Sequence, residues 1–237
     1  MSDAFSLLII HNPTLFAAIF GIIPAVVWLW FWLKEDIHPE PTKFIIFTFL
    51  GGMLSVFAAL PLQHLAQTYT TDTTILFFIW AFIEEALKYG TAWIGGLHQT
   101  ADDEPVDPIM YMIVAALGFV AMENTLFLID PLISGNIADT IITGNLRFIG
   151  ATLLHIISSS TLGIFLAFSF TKTREWKVIY AITGLVIATI LHTLFNLFIL
   201  NETNTSVYLI FGFVWIGLIG LMYMFERIKS IHVEKIQ

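Results

Sequence analysis

Ionisable side chains interrupt four long apolar stretches of this chain. Glu84 and Glu85 are adjacent in one stretch, and Glu123, His155 and His192 lie in three later ones. A carboxylate at the centre of a membrane helix costs roughly 2.5–3.5 kcal/mol on insertion scales, so such residues indicate a functional site. Two neighbouring carboxylates and two imidazoles from separate helices are the groups needed for a metal site with a general base.

Polar residues one helical turn away support the same interpretation. Lys88 lies four residues after Glu84 and three after Glu85, and both spacings bring its side chain within reach of the glutamate on a helix. We therefore expect Lys88 to neutralise one carboxylate while the other stays available. Asn196 follows His192 at the four-residue spacing, so an amide lies one turn from an imidazole.

The apolar stretch around His155 is rich in small residues. Ser159 lies four residues after His155, within the serine run 158–160. Small residues allow membrane helices to pack closely, and their hydroxyl groups form hydrogen bonds between helices. Glu123 and the adjacent Asn124 fit a direct ligand role, support of a metal ligand or such interhelical contacts, and the sequence leaves these roles open.

The available ligands favour zinc chemistry. The chain has no cysteine, so a metal must be held by His, Asp, Glu or Asn. Zinc accepts imidazole nitrogen and carboxylate oxygen in tetrahedral geometry, and a catalytic zinc keeps one position for water, whose pKa falls to about 7. A further glutamate could take the proton of that water and pass it to a leaving amine. The pattern predicts peptide hydrolysis without a covalent intermediate.

The composition indicates where these residues must lie. Of 237 residues, 57% are hydrophobic and 12% are charged, too few charges to cover a soluble globule of this size. We therefore expect a polytopic membrane protein. The net charge of −8 and the lack of a basic patch argue against a nucleic-acid partner. No Lys or Arg precedes the first apolar run, so a removable signal peptide is not expected.

Seven apolar runs are long enough to cross about 30 Å of hydrocarbon. They cover residues 13–33, 44–66, 74–97, 109–129, 147–170, 178–200 and 207–225. Short connections containing proline or glycine separate most of them and leave no room for a soluble domain. We predict an all-α fold, a single membrane domain over residues 1–237 that forms a bundle of about seven transmembrane helices.

Basic residues predict the orientation of this bundle. Short loops rich in Lys and Arg stay in the cytoplasm, and these residues flank the first and fifth connections and follow the last span, whereas Arg147 alone lies on the opposite side. The N-terminus is therefore predicted outside and the C-terminus in the cytoplasm. In this orientation Glu84, Glu123, His155 and His192 all lie roughly 9–15 Å below the outer boundary, because a helix rises about 1.5 Å per residue. The shared depth favours a single site.

Four motifs follow one another in order along the chain: Glu84-Glu85-Ala-Leu-Lys88, Glu123-Asn124, His155 with the small residues after it, and His192-Thr-Leu-Phe-Asn196. This order resembles the motif set of the PrsW family of intramembrane metalloproteases. The segment 36–41, Asp-Ile-His-Pro-Glu-Pro, is also similar to the proline- and glutamate-rich cytoplasmic loop of that family. The family is related to the CAAX-processing and Abi-type membrane proteases, which share a paired glutamate motif and two later histidines.

The resemblance implies site-1-like cleavage of a membrane-anchored protein in a prokaryotic cell membrane, in the best-known case an anti-sigma factor. By motif, Glu84 and Glu85 supply the general base and a metal or water contact, and Glu85 is the candidate ligand beside His155 and His192. Asn196 would stabilise the oxyanion or hold the water. Spacing leaves open which glutamate takes which role.

Three other functions fit parts of the pattern. Proton- or ion-coupled transporters and channels use buried Glu and His as relays, although no repeat with broken helices is evident. Retinal proteins and receptors share the predicted topology, but the span 207–225 has no lysine for a Schiff base. A membrane scaffold could keep the same residues for packing alone. Stoichiometric zinc would separate the protease from all three.

Overall fold

The structure, a computed structural model, describes residues 12–99, 102–135, 150–200 and 204–231. Within these ranges the chain forms seven α-helices and no strand, which confirms the predicted all-α fold for the described part. The helices are α1 (Pro13–Glu35), α2 (Thr42–Tyr69), α3 (Thr73–Ala92), α4 (Asp107–Ile133), α5 (Thr152–Phe168), α6 (Arg174–Leu200) and α7 (Asn204–Lys229). A π-helical turn, Trp93–Leu97, continues α3.

Helix length and polarity fit a membrane bundle. In the described residues α1, α2, α4 and α6 are long and apolar enough to cross a membrane, and α5 is a shorter apolar helix. Helix α3 carries three charges, Glu84, Glu85 and Lys88, so it is less apolar than a plain span. The number of spans and the orientation of the termini stay predictions. Arg147 and the start of the predicted fifth span lie outside the described residues.

Helix α4 lies at the centre of the bundle. Every residue from Asp107 to Ala121 is buried, and α1, α2 and α5 pack along it. Its sequence explains this position, because apolar side chains occur on all faces rather than along one stripe, as expected of a helix surrounded by others. The site residues of α3 and α5 are therefore arranged around a fixed central helix.

Glycines permit the closest contacts of α4. Gly118 of α4 packs against the Phe49 carbonyl of α2, and Gly52 of α2 packs against the Ala115 carbonyl of α4, so a Cβ would collide at either position. Gly163 of α5 makes a similar approach to α4. Close backbone packing through small residues is a main source of helix association in membranes.

A buried polar contact joins the α1–α2 connection to α4. The Tyr111 hydroxyl donates to Glu40 Oε2 at 2.5 Å, and both residues are buried. Burial raises the pKa of the Glu40 carboxyl, whereas the hydrogen bond from Tyr111 opposes that rise. The contact holds the proline-rich segment 36–41 against the end of the bundle opposite the α2–α3 connection.

The glycine contacts give a prediction about stability. Gly118→Ala should destabilise the protein by about 1–3 kcal/mol, because the added methyl group overpacks the α2–α4 contact. Gly220→Ala is the matched control, since a Cβ at Gly220 in α7 meets no atom within 4 Å. Thermal unfolding in detergent, followed by circular dichroism, measures both variants. Equal midpoints for the two variants would show that the close approach at Gly118 is not required.

Candidate metal centre

Three side chains from α3, α5 and α6 meet inside the bundle. One oxygen or nitrogen atom each of Glu84, His155 and His192 lies within 4.8 Å of the others. Glu84 Oε2 is 3.7 Å from His192 Nε2 and 4.0 Å from His155 Nδ1. The imidazole centroids are 4.9 Å apart, with the rings nearly perpendicular. All three residues are buried, and the structure thus brings together residues from three of the four motifs.

A carboxylate holds each imidazole ring on the side away from Glu84. His192 Nδ1 lies 2.9 Å from Glu85 Oε1, and His155 Nε2 lies 3.1 Å from Glu123 Oε2. A neutral imidazole that donates one N–H in this way has its other nitrogen free of a proton, the arrangement typical of metal-binding histidines. The unprotonated nitrogens are then the two that face the Glu84 carboxylate.

The two oxygens of Glu84 differ in their surroundings. Oε1 accepts a hydrogen bond from Gln63 Nε2 at 2.8 Å, whereas Oε2 is buried and has no hydrogen-bond partner. Lys88 Nζ is 3.8 Å from Oε2 and donates instead to His155 Nδ1 at 2.8 Å. Because an ammonium only donates, this contact agrees with an unprotonated Nδ1. A metal at this point would compete with Lys88 for that nitrogen.

These donors fit a divalent metal. Two imidazole nitrogens and one carboxylate oxygen are the protein ligands of several catalytic zinc sites. A buried carboxylate oxygen without a partner is costly, and a cation between Glu84 and the two histidines would remove that cost. Among the residues that the structure describes, no other trio of His, Asp and Glu side chains converges as closely.

Glu85, by contrast, accepts hydrogen bonds at both of its carboxylate oxygens. Its Oε1 accepts from Lys88 Nζ at 2.7 Å and from Ser158 Oγ at 3.0 Å, as well as from His192. Its Oε2 accepts from Ser159 Oγ at 2.6 Å. Three donors therefore meet at Oε1 and one at Oε2, so both oxygens of the buried carboxylate are hydrogen-bonded. The expected pairing of Lys88 with one carboxylate is confirmed, and Glu85 joins α3 to α5 and α6.

A cavity of about 690 Å³ opens beside this group. The side chain of Glu123 is 20% exposed and that of Glu84 8%, whereas Glu85 is completely buried. Access from the cavity therefore differs among the three carboxylates. The polar residues of the catalytic motifs that line the cavity are Glu84, Glu123, His155, His192 and Asn196.

Comparison with known proteins identifies the family. The family model for PrsW family intramembrane metalloproteases matches residues 40–223. The chain belongs to this family. Protease PrsW of Bacillus subtilis (strain 168) is 27% identical over 210 residues, which cover 84% of this chain and 90% of that protein. Protease PrsW of Geobacillus kaustophilus (strain HTA426) is 27% identical over 158 residues, 65% of each chain. No solved structure matches.

Membership in the PrsW family makes this protein a hydrolase that acts on peptide bonds. With its apolar helices and bacterial relatives, it is a prokaryotic integral membrane protein. All four sequence motifs lie within the matched residues 40–223. The family assignment favours proteolysis over the relay, receptor and scaffold interpretations, and the buried group can supply the metal ligands that a metalloprotease needs.

Two contacts of this PrsW family site were not predicted from the sequence. Gln63 is a polar residue near the end of an apolar span, which is the signal that could have revealed it. Ser158 precedes Ser159 in the serine run, but the four-residue spacing singles out only Ser159. Asn124 donates to Thr152 Oγ1 at 3.4 Å, so its side chain contacts α5, as expected for interhelical bonding.

The buried pair of Lys88 and Glu85 gives a second prediction. Lys88→Met should destabilise the protein by about 3–5 kcal/mol, because it leaves the buried Glu85 carboxylate without its cation. The double variant Lys88→Met/Glu85→Gln should recover part of this loss, since it also removes the negative charge. Thermal unfolding in detergent compares the variants. If Lys88→Met unfolds at the wild-type midpoint, Lys88 does not stabilise Glu85.

Proposed function

We propose that this chain is a zinc-dependent intramembrane endopeptidase that cleaves a membrane-anchored protein, with Glu84, His155 and His192 as the metal ligands. One observation carries the proposal: a buried carboxylate oxygen of Glu84 that has no hydrogen-bond partner lies 4.0 Å from His155 Nδ1 and 3.7 Å from His192 Nε2. The surrounding hydrogen bonds fix both rings in the tautomer that metal binding needs. Family membership supplies the reaction class, and the ligand set supports the choice of zinc.

Zinc held at this position would act as a Lewis acid on the scissile carbonyl and make water acidic enough to attack at neutral pH. The reaction also needs a group that accepts a proton from water. Glu123 is the best candidate, because it lines the cavity and is more exposed than Glu84. Glu85 is excluded from the cavity lining by its burial, and four donors already occupy its oxygens.

These roles refine what the family resemblance implied. There, Glu84 and Glu85 shared the roles of base and ligand; here, the contacts favour Glu84 as ligand, Glu123 as base and Glu85 as the anchor of His192. Asn196 lines the cavity one turn after His192. Its carboxamide is the proposed donor to the oxyanion that develops on the scissile carbonyl.

The surroundings of the cavity favour a substrate that reaches the site from within the membrane. It is bounded by α2, α3, α4, α5 and α6, and the outer faces of several of these helices expose large apolar side chains suited to lipid. A protein with a membrane anchor can reach such a site by moving within the bilayer. An anti-sigma factor is the specific substrate that the family resemblance suggests, cleaved near the outer surface.

The proposed roles can be separated by amide substitutions. Glu123→Gln should keep bound zinc and lose about 10²–10⁴-fold in turnover, because the amide oxygen still accepts the N–H of His155 but cannot take a proton at neutral pH. Glu84→Gln and His192→Ala should lose zinc as well as activity. Metal analysis and cleavage of a membrane-anchored reporter in liposomes measure both properties. Full activity of Glu123→Gln would exclude it as the base.

Removal of the metal tests the reaction class itself. Purified protein should contain about one zinc per chain, lose reporter cleavage after treatment with a chelator, and regain it when zinc is added back. The chelated protein should keep its helical circular dichroism, which serves as the control for unfolding. Unchanged cleavage after verified metal removal would contradict the proposed mechanism.

A further inference from the structure

Gln63 connects α2 to the proposed metal ligand of α3. Its Nε2 donates to Glu84 Oε1 at 2.8 Å, and the side chain lines the cavity. Its own backbone carbonyl accepts the indole N–H of Trp80 at 3.2 Å. Trp80 and Glu84 lie one turn apart on α3, so Gln63 is tied to this helix at two points.

The contact decides which oxygen of Glu84 remains available. The terminal torsion of a glutamate side chain is soft, and the carboxylate can rotate unless one oxygen is held. Because Gln63 holds Oε1, Oε2 is directed at His192 Nε2 and His155 Nδ1. We propose that Gln63 is a positioning residue for the metal, acting through Glu84. The inference rests on the proposed function, since it assumes that Glu84 is a ligand.

The chemistry of the donor supports this role. Adjacent carboxylates receive different hydrogen-bond donors: Glu85 accepts from the ammonium of Lys88 at 2.7 Å, whereas Glu84 Oε1 accepts from the neutral amide of Gln63 and Lys88 Nζ stays 3.8 Å from Glu84 Oε2. A cation on Glu84 Oε1 would offset the negative charge that attracts a metal, and a neutral donor fixes the carboxylate while leaving that charge in place. Gln63 thus orients the Glu84 carboxylate without adding a further positive charge beside it.

The test compares zinc affinities in detergent by competition with a chromophoric chelator. Gln63→Met keeps the length of the side chain and removes the donor, and we expect it to bind zinc about 10–100-fold more weakly, the usual loss when a hydrogen-bond partner of a metal ligand is removed. Gln67→Met is the matched control, one turn further along α2, where no hydrogen bond to Glu84 is formed in the described structure. It should bind zinc as the wild type does.

A double-mutant cycle shows whether Gln63 acts through Glu84. The cycle uses Glu84→Asp, which keeps a carboxylate ligand for zinc but shortens the side chain and so withdraws it from Gln63 Nε2. In the Glu84→Asp background, Gln63→Met should have little further effect on zinc affinity, because the hydrogen bond that it removes is already lost. An equal loss in both backgrounds would overturn the proposal and indicate a general structural effect. Wild-type affinity of Gln63→Met would also overturn it.

Two further measurements keep the outcome decisive. If Gln63→Met does not fold, Trp80→Phe keeps an aromatic ring at this position and removes the indole N–H that holds the Gln63 carbonyl. This variant should weaken zinc binding to a smaller degree, and unchanged affinity would count against the proposal. A failure of the proposed function can be told apart from a failure of the Gln63 role, because the wild-type protein would then bind no stoichiometric zinc. If the wild type binds stoichiometric zinc and Gln63→Met binds it with the same affinity, only the positioning role of Gln63 is rejected.

Discussion

The buried carboxylate of Glu85 is the contact on which the site depends. It accepts hydrogen bonds from one residue of its own helix, two serines of α5 and a histidine of α6. An ionised group in such surroundings is tolerated when it is hydrogen-bonded and a cation lies beside it. The same bonds fix the distances between α3, α5 and α6. They therefore offset the cost of burying the charge and also set the geometry of the site.

The neighbouring residue Glu84 has the opposite character, although it differs by a single position in the chain. Successive residues of a helix point about 100° apart, so one carboxylate faces the helix interface and the other the cavity. The interface residue is surrounded by donors that hold it, whereas the cavity residue keeps one oxygen without a partner. Two adjacent glutamates can therefore have distinct roles: one holds the helix interface together, and the other presents an oxygen to the cavity.

Much of the fold and part of the site follow from sequence alone. Apolar runs predicted helices where the described residues form them, and the predicted shared depth favoured a single site for Glu84, His155 and His192, whose side chains converge in the structure. The division of roles between Glu84 and Glu85 could not be predicted, because it depends on the rotation of α3 against its neighbours. Gln63 was missed for a similar reason. Its partner lies 21 residues away on the next helix, and helical periodicity within one segment does not predict contacts between segments.

All the proposed ligands belong to helices, and the last of them, His192, comes late in the chain. During synthesis from the N-terminus, Glu84 is made first and His155 next. The proposed ligand set is complete only when α6 has entered the bilayer and packed beside α3 and α5. With the proposed ligand set, the nascent polypeptide has no complete metal site until that step. The order of the ligands along the chain thus delays enzyme competence to a late stage of membrane insertion, and a truncated product would be inert toward its neighbours.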